Sequence, residues 1–95
     1  MQDWIKDELA IYDLKRVFIG FSDHALKDKN LRPEDIDKAV ETIRSGEIVP
    51  EKSDPARRNV CFKRYFGNNI TYFVVGGLHE EFIRIVTVIK EKGRV

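Results

Sequence analysis

The stretch that most constrains the fold is RPEDIDKAVETIRSG, which runs from residue 32 to residue 46. Pro33 stands in its first turn with two acidic residues beside it, and Gly46 stands where a C-terminal cap belongs. Four apolar residues follow the i, i+3, i+4, i+7 spacing of one helical face: Ile36, Ala39, Val40 and Ile43. The sequence therefore predicts a helix over 33–45 whose apolar face must cover another element.

The element that this face covers is predicted by the second half of the chain, where β-forming residues replace the helical periodicity. Strands are predicted at 58–66, 70–75 and 82–90, and the FGNN between the first two favours a tight hairpin. Apolar residues occur on both faces of the last segment, which is typical of a central strand. Helices followed by three consecutive strands predict one α+β domain over residues 1–95, with N-terminal helices on one face of a C-terminal antiparallel sheet.

Shorter patterns predict the segments before and between these elements. Mixed helical spacing predicts a helix over 2–16, the apolar run 17–21 predicts an extended piece, and Ser22 or Asp23 can cap a short helix through about Lys29. Between the main helix and the first strand, PEKSDPA is predicted to be a polar connector. No repeat or low-complexity tract interrupts this order.

Charge is distributed unevenly along the chain, although the formal net charge is only +1. Residues 1–54 carry 13 acidic and 9 basic side chains, whereas residues 55–95 carry 3 acidic and 8 basic ones. No acidic residue occurs from Pro55 to His79, and four bases lie in the first half of that span: Arg57, Arg58, Lys63 and Arg64. Two interpretations stay open: the C-terminal half binds an anionic partner, or the two halves attract each other.

Composition disfavours several classes of protein. Cys61 is the only cysteine, which excludes an internal disulfide, and its apolar neighbours predict a buried side chain. The two histidines are far apart in the sequence and no glycine-rich phosphate loop is present, so neither a metal nor a cofactor is expected. The apolar runs are too short for a membrane span, and the acidic, amphipathic N-terminus is unlike a signal peptide. A cytoplasmic location without membrane contact is the expectation.

Three features occur in an order typical of a known group of proteins: FSDHA opening a short helix, then LRPEDIDKAVETIRSGEIV, then IRIVTVI as the last strand. Over about residues 17–90 the chain resembles the prokaryotic domain-of-unknown-function family 4258, which is similar to RelE-type toxins and barnase. The resemblance implies a RelE-like fold and metal-free cleavage of RNA, with a cognate antitoxin as partner. One departure is HALKDKNL, which carries Lys27 and Lys29 where the family has arginines, so a phosphate contact there would lack the bidentate guanidinium fork.

Three residues are predicted to be catalytic: His24, Arg84 and Thr87. His24 lies in the first turn of a predicted helix, where the dipole favours a neutral imidazole, although the ring could instead pack and bind a backbone carbonyl. Arg84, within a central strand, needs either an acidic partner from the helical half or an open, anion-binding sheet surface. The prediction for Thr87 rests on the resemblance, because simple alternation turns it toward the apolar side unless a β-bulge intervenes.

Three further residues are predicted to bind substrate: Lys63, Arg64 and Tyr72. Lys63 and Arg64 are neighbours in a strand and project to opposite faces, so only one can line a given surface. Aromatic residues interleave with these bases as on sheets that stack nucleotide bases, although aromatics in strands are more often core residues. His79 is predicted to be a solvated loop residue. Convergence of the catalytic candidates with one of these bases would favour an endoribonuclease; the alternatives are a non-catalytic module that binds RNA or protein, and an antitoxin-like interaction protein.

Overall fold

The computed structural model describes residues 3–27 and 31–95, and within them three helices pack on one face of a five-stranded sheet. The helices are α1 (Asp3–Leu9), α2 (Asp23–Leu26) and α3 (Pro33–Ser45). The strands are β1 (Phe18–Phe21), β2 (Glu47–Asp54), β3 (Asn59–Tyr65), β4 (Ile70–Leu78) and β5 (Phe82–Lys92), with a 3-10 turn at Pro55–Arg57. The predicted α+β class is confirmed. Among these elements no helix is long and apolar enough to cross a membrane.

The sheet is mixed, with strand order β1-β5-β4-β3-β2. Strands β2 to β5 pair antiparallel, whereas β1 runs parallel to β5. The prediction of a purely antiparallel sheet of three strands is therefore wrong at both edges. The run 17–21 supplies the edge strand β1, and the stretch predicted as a polar connector lies largely in β2. The residues of β2 do not show a strand pattern in the sequence, because an edge strand tolerates proline and polar residues. The ladder of β2 with β3 is also interrupted between Val49 and Asp54.

The N-terminal helix is shorter than predicted, because it ends at Leu9 rather than at residue 16. The following residues form turns that carry the chain to β1. The guanidinium of Arg44, on α3, donates hydrogen bonds to the carbonyl oxygens of Leu14 (3.0 Å) and Val17 (3.1 Å). This distant side chain satisfies backbone groups that a continuing helix would have satisfied internally.

Helix α3 covers the sheet with the face that its periodicity predicts. Ala39 and Ile43 are fully buried, and they belong to one apolar cluster with Phe62 of β3 and Val74 of β4. Residues of α1 and α2 join the same cluster through Ile5 and Ala25. The main core therefore lies between the helices and one face of the sheet.

The opposite face of the sheet has no described helix on it, and we call it the open face. Only a small second cluster of strand residues lies there, around Val49, Cys61 and Phe73. The open face includes, from edge to edge, Phe18 and Gly20 of β1, Phe82, Arg84, Thr87 and Ile89 of β5, Phe73, Val75 and Gly77 of β4, Asn59, Cys61 and Lys63 of β3, and Glu47, Val49 and Asp54 of β2.

A β-bulge decides which residues of β5 reach the open face. Val75 of β4 pairs with Thr87, but Gly76 pairs with Ile85, so one residue of β5 is left without a partner. Paired residues share a face of the sheet, and Ile85 is buried under the helices. The bulge therefore turns Thr87 away from the helices and places it on the same face as Arg84.

Candidate nucleic-acid interface

Acids from the first half of the chain neutralise most of the basic residues in the acid-free span 55–79. Three arginines form salt bridges: Arg57 with Asp54 (3.8 Å), Arg58 with Glu8 (2.5 Å) and Arg64 with Glu41 (3.0 Å). Attraction between the two halves of the chain therefore accounts for these arginines. Lys63 lies opposite another acid of the first half, Glu47 on β2. Attraction between the halves does not account for Arg84, further along the chain.

Arg84 is a cation that this attraction leaves unpaired. It is exposed on the open face and makes no salt bridge with any residue in the described ranges. Its cross-strand neighbours are Gly20 on β1 and Gly77 on β4, so neither neighbouring position contributes a side chain of its own. Of the two environments predicted for Arg84, the structure therefore has the open sheet surface and not the acidic partner.

Aromatic rings surround this arginine. The ring of Phe18 is 69% exposed and lies over Gly20, 3.4 Å from the position that a Cβ would occupy there. Phe82 pairs with Phe18 across the parallel ladder, and the Arg84 guanidinium lies 5.4 Å from the Phe82 ring centroid. The arginine is thus held against one aromatic ring and lies beside a second ring with a solvent-facing surface.

His79 completes this group instead of being a solvated loop residue. Its imidazole stacks on the Phe82 ring with centroids 4.5 Å apart and planes 5° apart. Its backbone N–H donates to the Phe82 carbonyl (3.0 Å), and its carbonyl accepts from the Tyr12 hydroxyl. The β4–β5 turn and the N-terminal segment therefore hold the ring beside Arg84. We call Phe18, Asn59, His79, Phe82 and Arg84 the Arg84 surface.

The three catalytic candidates are only partly brought together. Thr87 lies next to Arg84 on the open face because of the bulge. His24 is exposed in α2, which Ser22 caps by accepting the N–H of Ala25 (3.1 Å). The imidazole of His24 makes no hydrogen bond or ring contact with a described residue, and the end of its predicted helix, residues 28 and 29, lies outside the described ranges.

The three predicted substrate-binding residues lie elsewhere in the fold. Lys63 is on the open face, but it is four residues along β3 from the level of Arg84, about 13 Å, and two strands across, about 10 Å. It borders a separate pocket of about 500 Å³. Arg64 faces α3, where it binds Glu41 and the Ser45 hydroxyl. Tyr72 is 3% exposed beneath α3, which keeps its ring from stacking on a ligand.

Tyr72 belongs instead to a buried polar cluster centred on Asp35. The Asp35 carboxylate, 4% exposed, accepts hydrogen bonds from the Tyr72 hydroxyl, the Arg32 N–H (2.9 Å) and Lys90 Nζ (3.0 Å). Burial opposes ionisation of Asp35, but these three donors outweigh it and hold the pKa of Asp35 below its ordinary value. Burial and the hydrogen bond to Asp35 raise the pKa of Tyr72. This cluster fastens the N-terminus of α3 to strands β4 and β5.

The Arg84 surface offers cationic and aromatic groups rather than metal ligands. Within residues 3–27 and 31–95, no group of three or more His, Cys, Asp or Glu side chains could hold a metal ion. Cys61 is buried, and burial raises the pKa of its thiol, which keeps it protonated. A guanidinium beside exposed rings can bind a phosphate and stack an unpaired base at the same time.

Sequence reasoning missed four residues of the Arg84 surface: Phe18, Asn59, His79 and Phe82. In the sequence Phe18 is part of an apolar run, and only the pairing of β1 with β5 places it on the open face. The two glycines that flank Arg84, Gly20 and Gly77, are the signal that could have indicated an uncovered strand position.

Comparison with known proteins identifies no relative of this chain. The chain has no significant match among protein-family models, curated proteins or solved structures.

Proposed function

We propose that this protein binds single-stranded RNA on the open face of its sheet, at the Arg84 surface. The observation that carries the proposal is an exposed arginine without a salt bridge to any described residue, set between two glycines and beside exposed Phe18. A buried or paired arginine would have a structural explanation, as Arg64 does. Arg84 has none in the described contacts beyond the Phe82 ring.

The chemistry of this surface favours a single strand over a duplex. The guanidinium gives one charge-assisted contact to a phosphate, and Phe18 gives one ring face to a base. Bases in a duplex already stack on each other, and the A-form major groove is too narrow for side chains to read the bases. An unpaired nucleotide can present both its phosphate and its base to the same small surface.

The resemblance to family 4258 and the RelE-type toxins supports the choice of RNA as ligand. The α+β class agrees with that group, and the RelE-like topology is part of this proposal. The cognate antitoxin that the resemblance implies stays a prediction.

The wild-type protein should bind a labelled single-stranded RNA more tightly than a duplex of the same sequence. Because few cations of the open face are free, we expect one or two phosphate contacts, which gives a slope of log K against log salt of about −0.7 to −1.4. Fluorescence anisotropy at several salt concentrations measures both quantities.

Equal affinity for the duplex would contradict this prediction, as would a complete lack of binding at low salt. A slope steeper than about −3 would also contradict it, since it would require the arginines that are now paired with acids to contact RNA.

A second candidate function, endoribonuclease, is favoured by the imidazole of His79 and the hydroxyl of Thr87 on either side of Arg84. In this mechanism His79 accepts the proton of the ribose 2′-OH as the O2′–P bond forms, and returns it to the 5′-oxygen as the P–O5′ bond breaks, leaving a 2′,3′-cyclic phosphate. Arg84 stabilises the charge on the phosphorane between these two steps. The Thr87 hydroxyl can donate a hydrogen bond to the same phosphate.

Purified protein should then cleave RNA without added metal, and His79→Ala should reduce the rate by about 100-fold. His24→Ala, at an exposed residue outside the Arg84 surface, should keep the wild-type rate and melting temperature. Gel analysis of end-labelled RNA, with and without ribosomes, gives these rates. Intact RNA with the wild-type protein would rule out the enzyme, and loss of cleavage in His24→Ala alone would assign the chemistry to His24.

A further inference from the structure

The two edges of the sheet differ in their protection against pairing with a further strand. Edge strand β2 contains Pro50, Glu51 and Lys52, and its ladder with β3 is interrupted between Val49 and Asp54. Proline, charged side chains and irregular pairing are the features that keep an edge strand from pairing further. Edge strand β1, with the sequence FIGF, has no charged residue and no proline, and its register with β5 is regular. Strand β1 is therefore the unprotected edge.

The outer side of β1 carries backbone groups that are available for pairing. Ser22, directly after β1, donates its N–H to the carbonyl oxygen of Ile85 on β5 (2.9 Å). Successive residues of a strand direct their backbone groups to opposite sides, so Gly20 also faces β5, whereas Ile19 and Phe21 face outward. No described strand lies beyond β1, and no hydrogen bond joins these outward groups to another described element.

The residues around β1 are complementary to a second copy of the same strand in antiparallel orientation. Arg16 precedes β1 and Asp23 follows it, and both are exposed. Antiparallel pairing brings Arg16 of each copy to Asp23 of the other. The contact that Arg16 makes within its own chain, with Asp13 at 3.8 Å, lies in solvent and contributes little. This charge order selects a second copy of the chain over an unrelated strand.

We propose that β1 pairs with β1 of a second copy of this chain, so that two sheets join into one continuous sheet. The pairing is antiparallel about a two-fold axis, which gives both copies the same contacts. Ile19 of each copy pairs with Phe21 of the other and exchanges both N–H···O=C bonds, and Gly20 lies opposite Gly20 at the axis. Because the exposed Phe18 ring covers Gly20 in each copy, the two rings lie side by side over the axis.

The same pairing places the two Arg84 surfaces on one side of the joined sheet, because a two-fold axis perpendicular to a sheet keeps its faces. Arg84 is level with Gly20, so the two arginines lie three strand spacings apart, about 14 Å. Pairing of the two copies needs no ligand, and it is tested without RNA.

Analytical ultracentrifugation and hydrogen exchange of the wild-type protein test the pairing. An interface made by one short strand from each copy is at the small end for protein complexes, so the measurements extend to about 1 mM protein. The mass should rise with concentration toward twice that of one chain. Exchange of the Ile19 and Phe21 amides should slow over the same range. A single-chain mass at all concentrations would overturn the proposal, as would unchanged exchange of these two amides.

Phe18→Lys should weaken the association by at least about tenfold, because it places two like charges over the axis and a lysine on the edge strand. Ile89→Lys is the matched control: it makes the same kind of change at another exposed position of the open face, away from β1, and should associate like the wild type. Wild-type association of Phe18→Lys, or an equal loss in Ile89→Lys, would overturn pairing at β1.

Charge reversal tests the antiparallel orientation. Arg16→Asp and Asp23→Arg should each weaken the association by about fivefold, and the double variant should restore it, because it rebuilds both ion pairs in the opposite sense. A double variant weaker than either single variant would overturn the antiparallel arrangement.

Discussion

Replacing Asp35 by alanine should lower the free energy of unfolding by about 3 kcal/mol, which corresponds to a fall in melting temperature of about 12–24 °C for a domain of this size. The substitution removes the acceptor shared by the Tyr72 hydroxyl, Lys90 and the backbone N–H of Arg32, the residue that precedes α3. Tyr72 is then left with a buried hydroxyl that has lost its partner. The Lys90 side chain is one-third exposed and can turn to water. The expected loss of stability is therefore at the lower end of the range of about 3–5 kcal/mol for breaking a buried ion pair.

The same cluster should make stability depend on pH in acid. Because the pKa of Asp35 is lower in the folded state than in the unfolded state, its contribution is complete above the unfolded value of about 3.9. That contribution is lost as the pH falls below this value and through the lower pKa of the folded state. At alkaline pH, Tyr72 acts in the opposite sense: its raised pKa adds stability that is lost above about pH 10.

Chemical denaturation of the wild type, Asp35→Ala, Asp35→Asn and Glu41→Ala between pH 3 and pH 7 measures these effects. Asp35→Asn keeps a hydrogen-bond acceptor without the charge, and its free energy of unfolding should lie between those of the wild type and Asp35→Ala. Glu41→Ala breaks an exposed salt bridge with Arg64 and should cost less than about 1 kcal/mol. A stability of Asp35→Ala equal to that of Glu41→Ala would contradict this prediction, because the buried cluster would then contribute no more than an exposed salt bridge.

The main features of the fold follow from local patterns in the sequence. The period of 3.6 residues over 33–45 and the β-forming runs after residue 58 are short-range signals, and they predict α3 and the three central strands correctly. The edge strands are different, because β1 and β2 become strands only when a partner supplies their hydrogen bonds. Gly46 follows α3 as the cap residue, as predicted, but the left-handed backbone that usually favours glycine at this position is absent, since its φ is −82°. Glycine fits here because a Cβ would lie 2.5 Å from the Lys63 carbonyl oxygen.

The candidate site is less predictable than the fold, since it depends on contacts between distant segments. Arg84 is conspicuous in the sequence because a charge in a central strand requires an explanation. Phe18 and Asn59 become its neighbours only through the order of the strands, and Thr87 only through the bulge at Val75 and Gly76. Arg64 and Tyr72 have the right chemistry for RNA, but α3 covers their face of the sheet.

Replacing Arg84 by glutamine should weaken the binding of single-stranded RNA by at least about tenfold, since a hydrogen bond to a charged group contributes about 1.5–3 kcal/mol. The salt slope should become less steep by about 0.7, corresponding to one lost phosphate contact. The melting temperature should not change, because Arg84 is exposed and forms no salt bridge with a described residue.

Arg64→Gln is the matched control, because it makes the same chemical change on the face that α3 covers, and it should leave RNA affinity within about twofold of the wild type. The measurement that tests the central claim most directly is therefore the RNA affinity of Arg84→Gln and Arg64→Gln, side by side at one low salt concentration. Loss of affinity in Arg84→Gln alone is the predicted result. Equal affinity of the two variants, or a greater loss in Arg64→Gln, would contradict RNA binding on the open face.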